Sequence, residues 1–453
     1  MTKSSKNLWG RFLFQGRGVL PTKRLLIAYL IISLAFILFG DIFHISWGFI
    51  IAMNIIVILA SLLDVLYSPK KSQLSFQRTI TKEMERNLAY IVQIHVKNTS
   101  PHGVNFFLVD GIPQSFKHPF PLRGVVQKDS TTVLTYETSA SVRGKYDITT
   151  VNFRYASLFG LWEKQMTIEL VDTIKVIPDL TETKQYLENA QKFLLYEGSK
   201  IRKQQRGVGD FAQIRNYVVG DDPRMINWRQ TAKLQEVMTN EYEPEHGKYI
   251  TILIDCGRMM GAELTKGNRL EKVLEAALTV TAAALQKGDY VSVLAFSKEV
   301  KVFVPPAKGM AHLQTVLHSI YDLEVDSAES NYAAVLSYLE TMQKKRSLLL
   351  LFSDVRTFLH EESALTYLMR LRQRHLFFMV GIEDITLLKR ANEEPTDVQN
   401  AMVKSIAQQQ ILTKKKGKMK WERQGLQMIE ASEEKLAVAA VSHYIDVMNR
   451  NLI

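Results

Sequence analysis

Two long apolar stretches near the start constrain this chain more than anything else in it. Residues 25–40 read LLIAYLIISLAFILFG and residues 45–67 read ISWGFIIAMNIIVILASLLDVLY, with only residues 41–44 between them. A helix needs about 17 to 25 mostly apolar residues to cross a bilayer. The second stretch meets that length, and the first meets it when its ends are counted. So short a bridge makes the pair a hairpin of two spans. Lys3, Lys6, Arg11, Arg17, Lys23 and Arg24 precede the first stretch, Lys70 and Lys71 follow the second, and the bridge holds no Lys or Arg. The positive-inside rule therefore places both ends of the hairpin, and the soluble parts, in the cytoplasm of a cell-membrane protein. A signal peptide does not fit, because a second span follows at once with no small-residue cleavage site. Asp64 is expected to reach the membrane interface, and Asn54 is in position to bond across to another helix.

The remaining residues are enough for two or three domains with real cores. The single cysteine, Cys256, excludes an internal disulfide. The net charge of +11 is partly local: besides the N-terminal cluster there is a second one, KKKGKMK, at 414–420. It is read as a solvated face, and no nucleic-acid partner is expected. The pattern divides the chain into a basic cytoplasmic terminus (1–24), the two spans (25–67), a strand-rich module (74–180), a connector (181–248) and a C-terminal domain (249–453).

In the module, runs such as AYIVQIHVKN and STTVLTYET alternate apolar and polar residues, with Gly, Pro, Ser or Asp between runs. That is the pattern of half-buried strands in a small β-sandwich. No His, Cys or carboxylate cluster is evident in it, so it reads as a structural or partner-binding unit.

After Tyr249 the pattern changes. YITILID and SLLLLFSDV are continuous apolar runs, and helical stretches such as RLEKVLEAALTVTAAALQKG alternate with them. Strands buried on both faces and alternating with helices predict an α/β domain with a mostly parallel, doubly wound sheet. Function in such sheets gathers at the C-terminal ends of strands, where Asp255 and Asp354 fall. Residues 391–420 are polar and Gln-rich and read as an extended loop or insert before the final helix.

The connector contains GVGDFAQIRNYVVGDDPRMINWR at 207–229. Gly220, Asp221, Asp222 and Pro223 predict a turn feeding a helix, with Asp222 as N-cap and Pro223 at the first helical position. Arg224 and Trp228 would then share a face. Asp210, Asp221 and Asp222 are candidate partners for Arg215, Arg224 and Arg229. These residues form either a brace for the next domain or a docking surface.

The segment resembles a bacterial, MoxR-associated family known as domain of unknown function, family 58. The residues that carry the resemblance are Gly209, Asp210 and Phe211, then Arg215 and Tyr217. Gly220 to Arg224, Ile226, Asn227, Trp228, Ala232 and Lys233 complete the run. Residues 141–162, SVRGKYDITTVNFRYASLFGLW, are similar to further elements of the family. The resemblance implies a von Willebrand A-like C-terminal domain and partnership with a MoxR-type AAA+ ATPase. In von Willebrand A domains, an Asp-x-Ser-x-Ser run, a Thr from a later loop and a later Asp hold Mg²⁺. By that likeness Asp255 is kept, Gly257 and Met259 replace the serines, Ser330 or Asn331 stands in the Thr loop, and Asp354 takes the last place. With two hydroxyls missing, the site is expected to be vestigial: no cofactor is expected, and Mg²⁺ is the ion to test. Arg258 lies beside it as a cation able to replace the metal's charge.

The leading expectation is a membrane-anchored, non-enzymatic scaffold or adaptor in protein assembly or cell-envelope maintenance. Its partner surface would comprise Asp210, Arg215, Asp221, Asp222, Arg224, Trp228 and Arg258. Two alternatives stand beside it. One is a Mg²⁺-dependent adhesion module using Asp255, Ser330 and Asp354. The other is a cell-envelope hydrolase using the aspartates of the connector. No phosphate-binding loop is present, so the chain is not expected to be an ATPase itself. The oligomeric state is not legible.

Overall fold

The computed structural model describes residues 18–197, 210–243, 247–450 and 452. The chain forms two compact units, Met1–Ile177 and Pro178–Ile453.

In the first unit, Thr22 accepts from the Leu25 amide at 3.2 Å and caps α1 (Lys23–Ile42). A tight turn leads to α2 (Trp47–Tyr67). A Cβ at Gly40 would lie 2.4 Å from Ile50 Cδ1, so a glycine there lets the two helices close on each other. Both helices are long and apolar enough to cross a membrane.

Ten strands follow the chain order of this unit. They are β1 (Val19–Pro21), β2 (Leu74–Thr79), β3 (Glu83–Glu85), β4 (Tyr90–Asn98), β5 (Val104–Asp110), β6 (Phe116–Lys117), β7 (Leu122–Val126), β8 (Ser130–Ala140), β9 (Gly144–Ala156) and β10 (Trp162–Ile177). One sheet has the order β1-β10-β9-β5-β7, with β3 beside β10; the other has the order β2-β4-β8-β6. The pairings are antiparallel except for β3 with β10. Alternate residues such as Val92, Ile94 and Val96 of β4 and Phe106 and Leu108 of β5 meet in one core. That is what a period of two produces when each sheet buries one face.

The sequence hid a polar tie across this core. Arg78 of β2 donates through Nε to Asp110 of β5 at 3.0 Å, and Tyr136 of β8 donates to the same carboxylate at 2.7 Å. Both charges are fully buried, so the pair holds the two sheets together only because its hydrogen bonds are complete.

Near the end of α2, Asp64 is held by protein groups of the β-module. It is only 3% exposed. Its carboxylate accepts from Ser157 Oγ, from the Phe159 amide at 2.9 Å and from the Leu161 amide at 3.2 Å. One turn earlier on α2, Ser61 O accepts from Trp162 Nε1 at 3.0 Å. The end of α2 is thus clamped onto the turn between β9 and β10, which explains why residues 157–162 are so specific in type. Asn54 turns back on its own helix and donates to Ile50 O at 2.9 Å.

The second unit is mixed α/β. It opens with α3 (Thr181–Glu197), then β11 (Asp210–Asn216), α4 (Trp228–Leu234) and β12 (Met238–Glu243). After β13 (Tyr249–Asp255) and a two-residue hairpin, β14 (Glu263–Leu264) and β15 (Gly267–Asn268), come α5 (Arg269–Gln286), β16 (Tyr290–Phe296), β17 (Val300–Ala307), α6 (Ala311–Ile320) and α7 (Tyr332–Met342). The chain ends with β18 (Ser347–Phe352), α8 (Val355–His360), α9 (Glu362–Arg372), β19 (Leu376–Ile382), α10 (Ile385–Asn392), α11 (Val398–Arg423), β20 (Gln427–Ala431) and α12 (Leu436–Asn449).

The sheet order is β17-β16-β13-β18-β19-β20. All neighbours are parallel except β17, which pairs antiparallel to β16 at the edge, where Pro305 and Pro306 cost no interior ladder bonds. From β13 the chain first builds outward through β16 and β17, then returns to lay β18 on the other side of β13. The reversal falls between the ends of β13 and β18, the usual place for a site in such sheets.

One expectation fails in this unit. The polar stretch 391–420 is helical over most of its length, within the 26-residue α11. Asp397 caps it by accepting from the Asn400 amide at 2.6 Å. Gln and Lys are good helix formers, and the buried Ala407 and Trp421 give the helix enough contact with the core. The polar composition marks an exposed helix face and not a loop. The short β20 was also missed, because five residues with little apolar alternation give no signal.

Candidate functional site

Asp255 ends β13 and is 1% exposed. Each carboxylate oxygen is engaged. Oδ1 accepts from Ser330 Oγ and from the Gly257 amide at 2.8 Å. Oδ2 accepts from Ser353 Oγ and from the Tyr332 hydroxyl at 3.0 Å, and Tyr332 also shares a 2.8 Å hydrogen bond with Ser353 Oγ. Burial pushes the Asp255 carboxyl above its ordinary value, with the four hydrogen bonds pulling the other way. Burial, with the neighbouring Asp255 charge, also raises the Tyr332 hydroxyl well above its ordinary value, so it stays protonated.

Gly257 has a spatial reason. A Cβ on it would lie 2.0 Å from Ser330 Oγ. The Ser330 hydroxyl therefore fills the room that a side chain at 257 would need. Asn331, the alternative to Ser330, instead caps α7 by accepting from the Ala334 amide at 3.0 Å.

Asp354 follows β18 and caps α8, accepting from Thr357 N at 2.9 Å and Thr357 Oγ1 at 2.8 Å. Arg269, the first residue of α5, forms an ion pair with its other oxygen, and both side chains are more than nine-tenths buried. Burial alone would raise the Asp354 carboxyl; the Arg269 guanidinium and the Thr357 hydrogen bonds outweigh it and hold the pKa below the ordinary value. The cation beside the crevice is thus Arg269, not Arg258. Arg258 is exposed and pairs with the exposed Glu329 at 2.8 Å. Nothing in the spacing between Asp255 and Arg269 announces this role; only the fold of the residues between them brings the arginine back.

The loop that carries Ser330 is latched on both sides. Asp326 accepts from Ser297 Oγ at 2.7 Å and from the Ala328 amide at 3.1 Å, and faces Lys301 at 3.2 Å. These contacts, the Ser297 hydroxyl first, hold the Asp326 carboxyl down at about 2. The Asp326 amide donates to Cys256 O at 2.7 Å, and the Asn331 amide to Ser297 O at 2.9 Å.

This donor set does not suit a divalent cation. Mg²⁺ needs free oxygen lone pairs in near-octahedral array. Asp255 gives its lone pairs to four protein donors, and Asp354 faces a guanidinium and the start of α8. Among the described residues, no group of three or more His, Cys, Asp or Glu side chains could hold a metal ion.

The connector residues form a separate structure. β11 and β12 pair antiparallel, with Arg215 opposite Thr239. Asp221 accepts from both ends of the Arg215 guanidinium, at 2.7 and 3.0 Å, and from the Val218 amide at 3.0 Å. Glu241 adds a second carboxylate 3.4 Å from Arg215. Gly220 adopts φ +110°, which a residue with a Cβ rarely takes, and so closes this turn. Asp222 caps a single 3-10 turn at Pro223–Met225, accepting from the Arg224 amide at 3.0 Å. Asn227 then caps α4. Arg224 and Trp228 therefore belong to two elements rather than one helical face. Trp228 is not buried: it is 69% exposed, alongside Val218 at 60% and Val219 at 95%. Asp210 begins β11, but its side chain, like residues 207–209, lies outside the described residues.

The family described as "Protein of unknown function DUF58" matches residues 213–413. This segment is similar to the DUF58 family. It runs from β11 into α11 and so includes both the connector hairpin and the strand-end crevice. An "Uncharacterized protein YeaD" of Bacillus subtilis (strain 168) is 26% identical over 258 residues, which is 56% of this chain and 60% of that protein. The aligned part thus spans less than two thirds of that relative. Among solved structures, the conserved hypothetical protein BatB from Bacteroides thetaiotaomicron is similar over 45% of this chain and all of its own, at 16% identity and TM-score 0.30. The SpRpn10 VWA domain is similar over 43% of this chain and 94% of its own, at 10% identity and TM-score 0.28.

Proposed function

We propose that this protein is a membrane-anchored, non-catalytic adaptor that docks other proteins through its DUF58 segment. In this reading the helices α1 and α2 form a membrane hairpin with both ends in the cytoplasm. The C-terminal domain is a doubly wound, von Willebrand A-like domain that binds without metal. A MoxR-type AAA+ ATPase is the partner, in protein assembly or cell-envelope maintenance.

The observation that carries the docking role is the exposure of Trp228 and Val219 on a hairpin in which Arg215 is already paired with Asp221 and Glu241. Exposed tryptophan is the residue type most enriched among interface anchors. The aspartates favour docking over hydrolysis: Asp221 is held by Arg215 and Asp222 is spent on a cap, so neither is a free acid or base. The engaged oxygens of Asp255 and Asp354 favour metal-free binding over Mg²⁺-dependent adhesion.

The test is affinity purification of the tagged full chain from native membranes at native expression, beside Trp228→Ala. The expected result is recovery of an AAA+ ATPase with the wild type and its loss with the variant. Recovery of the wild-type chain alone would overturn the proposal.

A further inference from the structure

The basic cluster at 414–420 lies on α11, and there it is not a flat solvated face. The helices α8 and α11 line an open cleft of about 610 Å³. Gly417 makes the close approach of α8 possible: a Cβ there would lie 3.3 Å from Leu359 Cδ1. A glycine inside a helix costs about 1 kcal/mol relative to alanine, and here it permits a wall to form. Trp421 closes one end, packed on Phe358 with ring centroids 5.0 Å apart.

The cavity is lined by cations and neutral hydrogen-bonding groups. Thr413, Lys416 and Lys420 recur at helical spacing along one face of α11, and Arg356 and His360 reach in from α8. Lys414 also lines it but is engaged with Glu430. Arg356 and Lys416 make no ion pair among the described residues. No described lining residue is a carboxylate. Like charges gathered around a concave volume raise the local positive potential, and they repel one another until an anion enters. The arginine fork suits phosphate oxygens, and a lysine adds a compact charge. The volume lies within the range of about 300–1,000 Å³ that small-molecule sites occupy.

We propose that this cleft binds a phosphomonoester with an organic body. Arg356 and Lys416 hold the phosphate oxygens, the Gln409 side-chain amide adds a polar contact, and Leu359 lines the wall against the organic part. The phosphate is carried either by a soluble molecule or by a lipid headgroup. The same α8 that supplies Arg356 and His360 begins at Asp354, so the occupied cleft abuts the strand-end cluster through one short helix.

The test is calorimetric titration of the full chain in a non-ionic detergent. The probes are glycerol 3-phosphate and dihexanoyl phosphatidate, with dihexanoyl phosphatidylcholine as the zwitterionic comparison. Saturable binding of glycerol 3-phosphate identifies a soluble ligand class; binding of phosphatidate alone identifies a lipid headgroup. In either case Arg356→Gln with Lys416→Gln is expected to weaken binding roughly tenfold or more, the scale of a lost charge-assisted hydrogen bond. Lys389→Gln with Lys404→Gln removes the same charge elsewhere in this unit and is expected to leave binding unchanged. Absence of saturable binding with both phosphomonoesters, or equal weakening by the two double variants, would overturn the proposal. Unfolding curves for each variant separate loss of a ligand from loss of the fold.

Discussion

The strand-end crevice and the connector hairpin both lie in the DUF58 segment, and they treat polar and apolar groups in opposite ways. At the crevice, carboxylates are buried and every oxygen of Asp255 has a donor. In the hairpin, Arg215 and Asp221 are only partly exposed, while Trp228, Val218 and Val219 are turned outward. The difference separates two tasks. A closed polar cluster fixes the geometry of a core but has little to offer a ligand. A hairpin that settles its own charges and exposes apolar surface is stable alone yet gains by being covered.

This contrast can be broken most sharply at Arg269. Its replacement by Met leaves Asp354 buried without its ion-pair partner, and the expected loss is about 3–5 kcal/mol in chemical denaturation. Adding Asp354→Asn should recover a large part of it. A loss below ~1 kcal/mol would mean the crevice is more open to water than its burial implies. Next is Gly257→Ser, which drives a side chain into Ser330 Oγ; about 1–3 kcal/mol is expected from overpacking, relieved by Ser330→Ala.

The pH dependence sharpens the same point. The folded-state pKa of Asp255 is raised, so folding takes up a proton there. Its contribution is fully present below the unfolded value, near 3.8, and is lost as pH rises through the raised value. Asp255→Asn should therefore gain on the wild type in unfolding free energy as pH is raised across that window. Asp354 acts in the opposite sense: its pKa is lowered, and its contribution is lost as pH falls below 3.8. The smallest effect on stability belongs to the hairpin. Trp228→Ala should change unfolding free energy by no more than ~0.5 kcal/mol, since the side chain is mostly exposed. If it destabilises the fold strongly instead, Trp228 is a brace and the contrast collapses.

Much of this architecture was legible because burial writes itself into long runs. YITILID and SLLLLF are apolar on both faces, as central parallel strands must be, and so their ends marked Asp255 and Asp354. The two N-terminal helices were legible by length and composition. What the chain order hid were pairings between distant residues of ordinary type. Arg269 looks like any helix-starting arginine, and Arg78 and Asp110 look like surface residues of alternating strands. Trp228 is the opposite case: its size suits a core, but it is mostly exposed because nothing in a short hairpin is large enough to cover it. The Lys- and Gln-rich α11 has little apolar period, so composition pointed to a loop while helix propensity and a capping aspartate prevailed.

The clamp of Asp64 on the turn between β9 and β10 bears on how force travels through this molecule. A domain on a loose tether can tumble, and a pull on it is lost in slack chain. Here the last turns of α2 grip Ser157, Phe159, Leu161 and Trp162 directly. A load applied to the β-module therefore reaches the helix as tilt or rotation without first straightening a linker. The module acts as a handle fixed to its shaft.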